Sequence, residues 1–539
     1  MSDEIIKNNG EKHNILDEVS MDESKINELI EKYDAESRYR KLTGLQGKFI
    51  TAWLCCMSLF HLYTAGIASM PITIQRAVHL TFAIVAVYIL FPAGRKGSKT
   101  STPIYDWILA AIAGGVIGYI IFFFNEIARR GAEPLPHEIW LGIAAIILVL
   151  EAGRRVVGNV LPCMSMLFLA YCYFGYLAPG MFQIRGYSVS RIIQHMYLTP
   201  EGIFGLALGV SATFVIVFII FGAFLSQSGG ARFFNELALA IAGGKPGGPA
   251  KVAVVASGLL GTINGSSVAN VATTGTFTIP LMKKVGYQPH YAGAVEACAS
   301  TGGQLMPPIM GAGAFIMSEF LGISYLSIAA AAIIPALVYY TAIFTNVHVR
   351  ARKQKLKGLP KDQLPVLREV MRTDGHLLIP VIVIIATLLM KYTPLRAGFI
   401  GVVSVIIVSS LKQKTRMSIR DLIKALEEGA RGALGVALAC ALVGFIVGTS
   451  SLTSLGLTIS NNIIDISGGN LLLTLIMAMV ACIVLGMGLP TTANYIVCST
   501  IIAPALIGMN VLPLSAHLFV FYFGIMADLT PPVCLAALT

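Results

Sequence analysis

The chain has 539 residues, of which 55% are hydrophobic and only 12% charged, with a mean hydropathy of +0.75. Soluble domains carry about 25% charge, so a soluble globule is excluded and a membrane is the setting. The net charge of +11 does not argue for nucleic acid, because the basic residues sit in loops between apolar runs and form neither a stripe nor a recognisable reading module.

Residues 1–44 are charged and lack the apolar core and small-residue cleavage site of a signal peptide. They are expected to form a cytoplasmic arm with an amphipathic helix around Ile26–Leu42. Apolar runs then recur at 48–66, 73–92, 106–125, 138–151, 157–177, 202–226, 252–264, 288–303, 308–321, 324–346, 376–391, 395–411, 429–450, 470–487 and 513–527. Several fall short of the roughly 18 to 20 residues needed to cross the hydrocarbon. Arg95-Lys96 with Lys99, Arg154-Arg155 and "RARKQKLKGLPK" (350–361) are short basic connections, which the positive-inside rule places in the cytoplasm together with the N-terminus. The nine cysteines show no CxxC pair or metal-ligand spacing and are expected to be small packing residues. No HExxH or GxxxxGK[ST] stretch occurs, which argues against zinc proteolysis and against ATP hydrolysis by this chain.

Between these runs lies "GTINGSSVANVATTGTFTIPLM" (261–282), where hydroxyls and amides crowd at a depth at which unsatisfied polar groups are costly. Sliding the chain against itself by 224 positions aligns residues 264–312 with 488–536 without a gap. Asn270 meets Asn494, and Pro280, Pro289, Pro307 and Pro308 meet Pro504, Pro513, Pro531 and Pro532. At about 5% proline usage, four such coincidences have a chance of roughly one in 10⁵ before the choice of offset is counted. The chain therefore contains an internal repeat, and repeated interruptions of hydrophobic segments point to a transporter's binding site.

Glycine and serine at Gly265-Ser266-Ser267 are expected to end the incoming helix, and Pro280 to stop the outgoing one. Each repeat then forms a re-entrant hairpin followed by a broken helix, the latter at "ASTGGQLMPPIMGAG" (299–313) and "FGIMADLTPPVCLAA" (523–537). Freed carbonyls and hydroxyls at such tips are hard oxygen ligands suited to Na⁺, and half-helix N-termini suit an anion. The fold expected is an all-α polytopic membrane protein with two repeats.

"NGSSVANVATTG", "GMGLPTTANYIV" and "ADLTPPVCLAA" resemble signature stretches of the large membrane subunit of tripartite ATP-independent periplasmic (TRAP) transporters, over about residues 190 to 539. The spans before it resemble the small subunit fused ahead of the large one, a layout similar to permeases working with TAXI-type extracytoplasmic receptors. The resemblance implies a charged arm (1–44), scaffold helices (45–180) and an elevator-type transport region (181–539). It also implies residence in a bacterial or archaeal inner membrane, Na⁺ or H⁺ as coupling ion, and a small organic anion, of carboxylate type, as cargo.

By motif match the ion and substrate candidates are Asn264, Gly265, Ser266, Ser267 and Asn270 at the first tip and Pro490, Thr491, Thr492 and Asn494 at the second. Pro307 and Pro308, and Asp528, Thr530, Pro531 and Pro532, belong to the broken helices. For the asparagines the competing role is satisfaction of buried backbone, and for Ser266 and Ser267 it is helix capping. Glu296 and Asp528 are candidate coupling carboxylates; they align with Val520 and Gln304, so neither is shared between repeats. Arg76 and His79 are expected to snorkel, with a small-to-large subunit contact as the alternative. A stand-alone carrier, a passive pore and an intramembrane enzyme remain alternatives, although neither signature stretch supplies the base a serine or threonine nucleophile needs. The second copy reaches the chain end seven residues after Pro532, so a continuation beyond Thr539 is expected.

Overall fold

The computed structural model describes residues 38–94, 97–531 and 534–538. Among these residues all regular structure is helical, and nine segments are long and apolar enough to cross a membrane. The helix expected at 26–42 falls mostly outside the described residues, and 38–43 is not helical. Arg95 and Lys96 also lie outside them.

One 35-residue helix, Ile419–Thr453, forms the axis of the molecule. Its glycine and alanine faces let neighbours approach closely: Gly444 lies against the backbone of Gly202, Gly429 against Ile220, and Gly153 of a neighbouring helix against Leu442. Around it pack Gly44–Gly66, Ile72–Leu90, Pro136–Val156 and Val160–Phe174 from the N-terminal part, and Leu206–Gln227. Hydroxyls tie the layers together, with Ser58 donating to the Leu426 carbonyl at 2.6 Å and Ser165 to that of Leu442 at 3.0 Å.

Arg76 and His79 do not snorkel. His79 is fully buried, with Nδ1 2.9 Å from His61 Nε2 and Nε2 3.0 Å from Ser211 Oγ. Arg76 donates to the Phe204 carbonyl at 2.8 Å. Ser211 opens a π-helical turn, Ser211–Val215, inside the span Leu206–Gln227, and such turns often sit at functional positions. Polar side chains held this way join the second span to the C-terminal part instead of reaching for water.

The basic residues at 154–155 are not simply loop charges. They end helix Pro136–Val156, where Arg155 and Arg40 flank Asp106 at 2.7 and 2.5 Å in a buried ion triad, and Arg154 pairs with Glu151. All nine cysteines are unpaired; Cys172, Cys440, Cys482 and Cys498 pack inside, whereas Cys56 and Cys163 are exposed.

Candidate functional site

The first hairpin consists of helices Gly248–Asn264 and Ser267–Lys284. Gly265 turns the chain at φ +63°, a conformation open to glycine, and Ser266 caps the outgoing helix by accepting from the Ala269 amide at 3.3 Å. The outgoing helix continues through Pro280 to Lys284, contrary to the expected stop. A proline removes one amide and kinks a helix without ending it when neighbours support both sides; the incoming arm and Pro289–Gly303 do so here. In the second copy the break is real: Thr491–Ile501 ends at Ile502, and Pro504 lies in the first turn of Ala503–Gly508.

The second hairpin pairs Leu471–Gly486 with Thr491–Ile501 across a turn that includes Gly488 at φ +76°. Pro490 occupies the position just before Thr491, its carbonyl taking the Asn494 amide at 2.9 Å. Each broken helix closes its gap with one backbone bond, from the Gly311 amide to the Gln304 carbonyl at 2.8 Å and from the Ala536 amide to the Asp528 carbonyl at 3.1 Å. Pro307 and Pro308 lie half-buried in the first gap, and Tyr325 donates to the Pro308 carbonyl at 3.0 Å.

These four elements converge on Asp528. Its buried carboxylate accepts from Ser267 at 2.8 Å and from Thr491 at 3.5 Å. Ser267 and Thr491 are repeat equivalents at the offset of 224, and so are Gln304 and Asp528. Gln304 is fully buried, and its side-chain amide atoms have no hydrogen-bond partner among the described residues. Ser267 and Thr491 also begin their helices, so two positive helix ends face the carboxylate. The junction is thus a pseudo-symmetric meeting of two hydroxyls, an amide and an acid, a donor set that fits a small hard cation or a proton. Gln304 was not singled out from sequence, although its alignment with Asp528 was the available signal.

The other candidates separate into different roles. Asn270 donates to the Ser257 carbonyl at 2.9 Å within its own hairpin, and Asn494 to the Gly524 carbonyl at 2.5 Å on the second broken helix. Thr492 is buried; Thr530 bonds back to the Met526 carbonyl at 2.8 Å; Pro531 is exposed. The backbone of Asn264 ends the incoming arm, and Pro532 lies outside the described residues. Glu296 stands apart from Asp528, enclosed by Ser257, Thr274, Thr278 and Ser300.

A family model described as the tripartite ATP-independent periplasmic transporter, DctM component, matches residues 144–539. The chain belongs to this family. The match begins inside Pro136–Val156, upstream of the similarity expected from about residue 190. Among similar proteins, the 2,3-diketo-L-gulonate TRAP transporter large permease protein YiaN of Escherichia coli is 23% identical over 59% of this chain and 74% of its own length. The C4-dicarboxylate TRAP transporter large permease protein DctM of Pseudomonas aeruginosa is 29% identical over 34% of this chain and 43% of its own. The uncharacterized protein YgiK of Salmonella typhimurium is 25% identical over 44% of this chain, which spans about half (53%) of that relative's length.

Proposed function

We propose that this DctM-family chain is the permease of a TRAP transporter that takes up a small organic anion, of carboxylate type, across the inner membrane at the expense of a Na⁺ or H⁺ gradient. A TAXI-type extracytoplasmic receptor delivers the solute. Residues 45–180 serve as a fused small-subunit-like scaffold and 181–539 as the transport region, with the arm 1–44 in the cytoplasm.

The observation that carries this reading is the convergence of Ser267 and Thr491, one from each hairpin, on the buried Asp528. A carboxylate at this depth is costly unless it binds a proton, a cation or donors, and one placed where both repeats meet can link ion occupancy to the closure of both tips. The acid substrates named for the Escherichia coli and Pseudomonas aeruginosa relatives support an anionic cargo.

The test is uptake by proteoliposomes with and without a purified TAXI-type receptor, under imposed Na⁺ or H⁺ gradients. Receptor-dependent, gradient-dependent uptake by the native chain and its loss in Asp528→Asn are expected. Saturable uptake without any receptor would replace this reading with a stand-alone carrier, and flux indifferent to both gradients would replace it with a passive pore.

A further inference from the structure

Glu296 is fully buried in helix Pro289–Gly303, and its carboxylate is ringed by hydroxyls. Ser257 donates at 2.7 Å and Ser300 at 3.1 Å, with Thr274 and Thr278 completing the ring. Among the described residues no lysine or arginine compensates it. The titratable groups on the packed elements are otherwise engaged or remote. Lys251 on the incoming arm points to His348 at 2.9 Å. Tyr339 and Tyr340 of Tyr325–Lys353 donate to the Cys298 and Ala299 carbonyls at 2.8 Å. Lys283 and Lys284 end the outgoing arm in exposed positions, and 535–538 contributes no ionisable residue.

The second repeat shows that this hairpin fold does not require the acid. At the same offset of 224, Thr274, Thr278, Glu296 and Ser300 become Cys498, Ile502, Val520 and Gly524. The acid and its three aligned hydroxyls are absent from an equivalent hairpin that packs without them. Burying an uncompensated carboxylate is costly, so the first repeat bears at this position a cost that its twin does not.

The ring accommodates both protonation states. When Glu296 is ionised, the hydroxyls point at it. When it carries a proton, the Thr274 hydroxyl has the Asn270 carbonyl at 2.8 Å as an alternative acceptor, and the Ser257 hydroxyl has Thr274 Oγ1 at 3.0 Å. Two of the four hydroxyls thus keep an acceptor when the carboxyl is protonated. We propose that Glu296 is a proton-binding site of this chain, separate from the Asp528 junction, whose loading and unloading gives transport a proton-dependent step. The second half of this statement rests on the transport reading above; the first does not.

The test is infrared difference spectroscopy of the purified full chain in lipid during acidification, which needs neither receptor nor substrate. A protonated-carboxyl band is expected in the native chain and in Asp528→Asn, and its loss in Glu296→Gln. If Glu296→Gln misfolds, the second-repeat set Thr274→Cys, Thr278→Ile, Glu296→Val and Ser300→Gly replaces it. An unchanged band in a folded variant overturns the proposal. So does the absence of any band together with loss of Na⁺-dependent thermal stabilisation in Glu296→Gln, which would make the ring a cation site. In receptor-supplied proteoliposomes Glu296→Gln is expected to flatten the pH profile of uptake; a native profile there overturns the coupling half, even if the band titrates.

Discussion

Ser267 and Asp528 are 261 positions apart in the chain and 2.8 Å apart in space, joined by a buried hydroxyl–carboxylate bond between the first hairpin and the second broken helix. Hydrogen bonds to charged groups contribute about 1.5–3 kcal/mol. Ser267→Ala is expected to lower thermal stability by an amount of that order, and adding Asp528→Asn should cost less than the sum of the two single changes. Strict additivity in the double-mutant cycle would mean that the bond does not form in the membrane-embedded protein.

Asn270→Leu and Asn494→Leu are expected to loosen different parts of the molecule. The first removes a bond to the Ser257 carbonyl inside its hairpin and the second a bond to that of Gly524 on the broken helix, each at about 0.5–1.5 kcal/mol. Hydrogen exchange should therefore rise at 248–264 for Asn270→Leu and at 513–526 for Asn494→Leu. Identical exchange patterns in the two variants would contradict these assignments.

Gly303→Ala and Gly293→Ala, in the same helix, should behave oppositely. A Cβ on Gly303 would stand 2.5 Å from the Gly261 Cα, whereas one on Gly293 meets nothing within 4 Å. Overpacking costs about 1–3 kcal/mol, so Gly303→Ala should melt clearly below the native protein and Gly293→Ala close to it. Equal melting temperatures would rule out backbone contact along this seam.

Asp106→Ala should be among the most damaging changes in residues 38–180, because it leaves Arg40 and Arg155 buried without their shared partner. Breaking a buried pair costs about 3–5 kcal/mol, readable as a large fall in melting temperature in detergent. A near-native melt would show that this triad is hydrated in the folded protein.

The sequence made the hairpins legible because glycine, serine and proline act locally: the turn at Gly265 and the cap at Ser266 follow from residue type and neighbours alone. Pro280 misled because its effect depends on support from other helices, which sequence does not display. Arg76 and His79 misled for the same reason, since a charged or polar side chain in an apolar run looks like a snorkel until its partner across the bundle is seen. Ser267 and Thr491 could be matched by offset. Their meeting at a single carboxylate could not, because the offset relates the repeats along the chain and carries no information about where they touch.

The two asparagines that align in sequence fasten different joints. Asn270 laces the two arms of its hairpin to each other, whereas Asn494 rivets its hairpin to the neighbouring helix Pro513–Met526. Spreading the arms of the first hairpin must break the Asn270 bond, while the second hairpin can part from helix Pro513–Met526 only by breaking the Asn494 bond. The chain's internal twofold likeness is therefore one of shape and not of mechanics: its two hairpins are hinged on different pins.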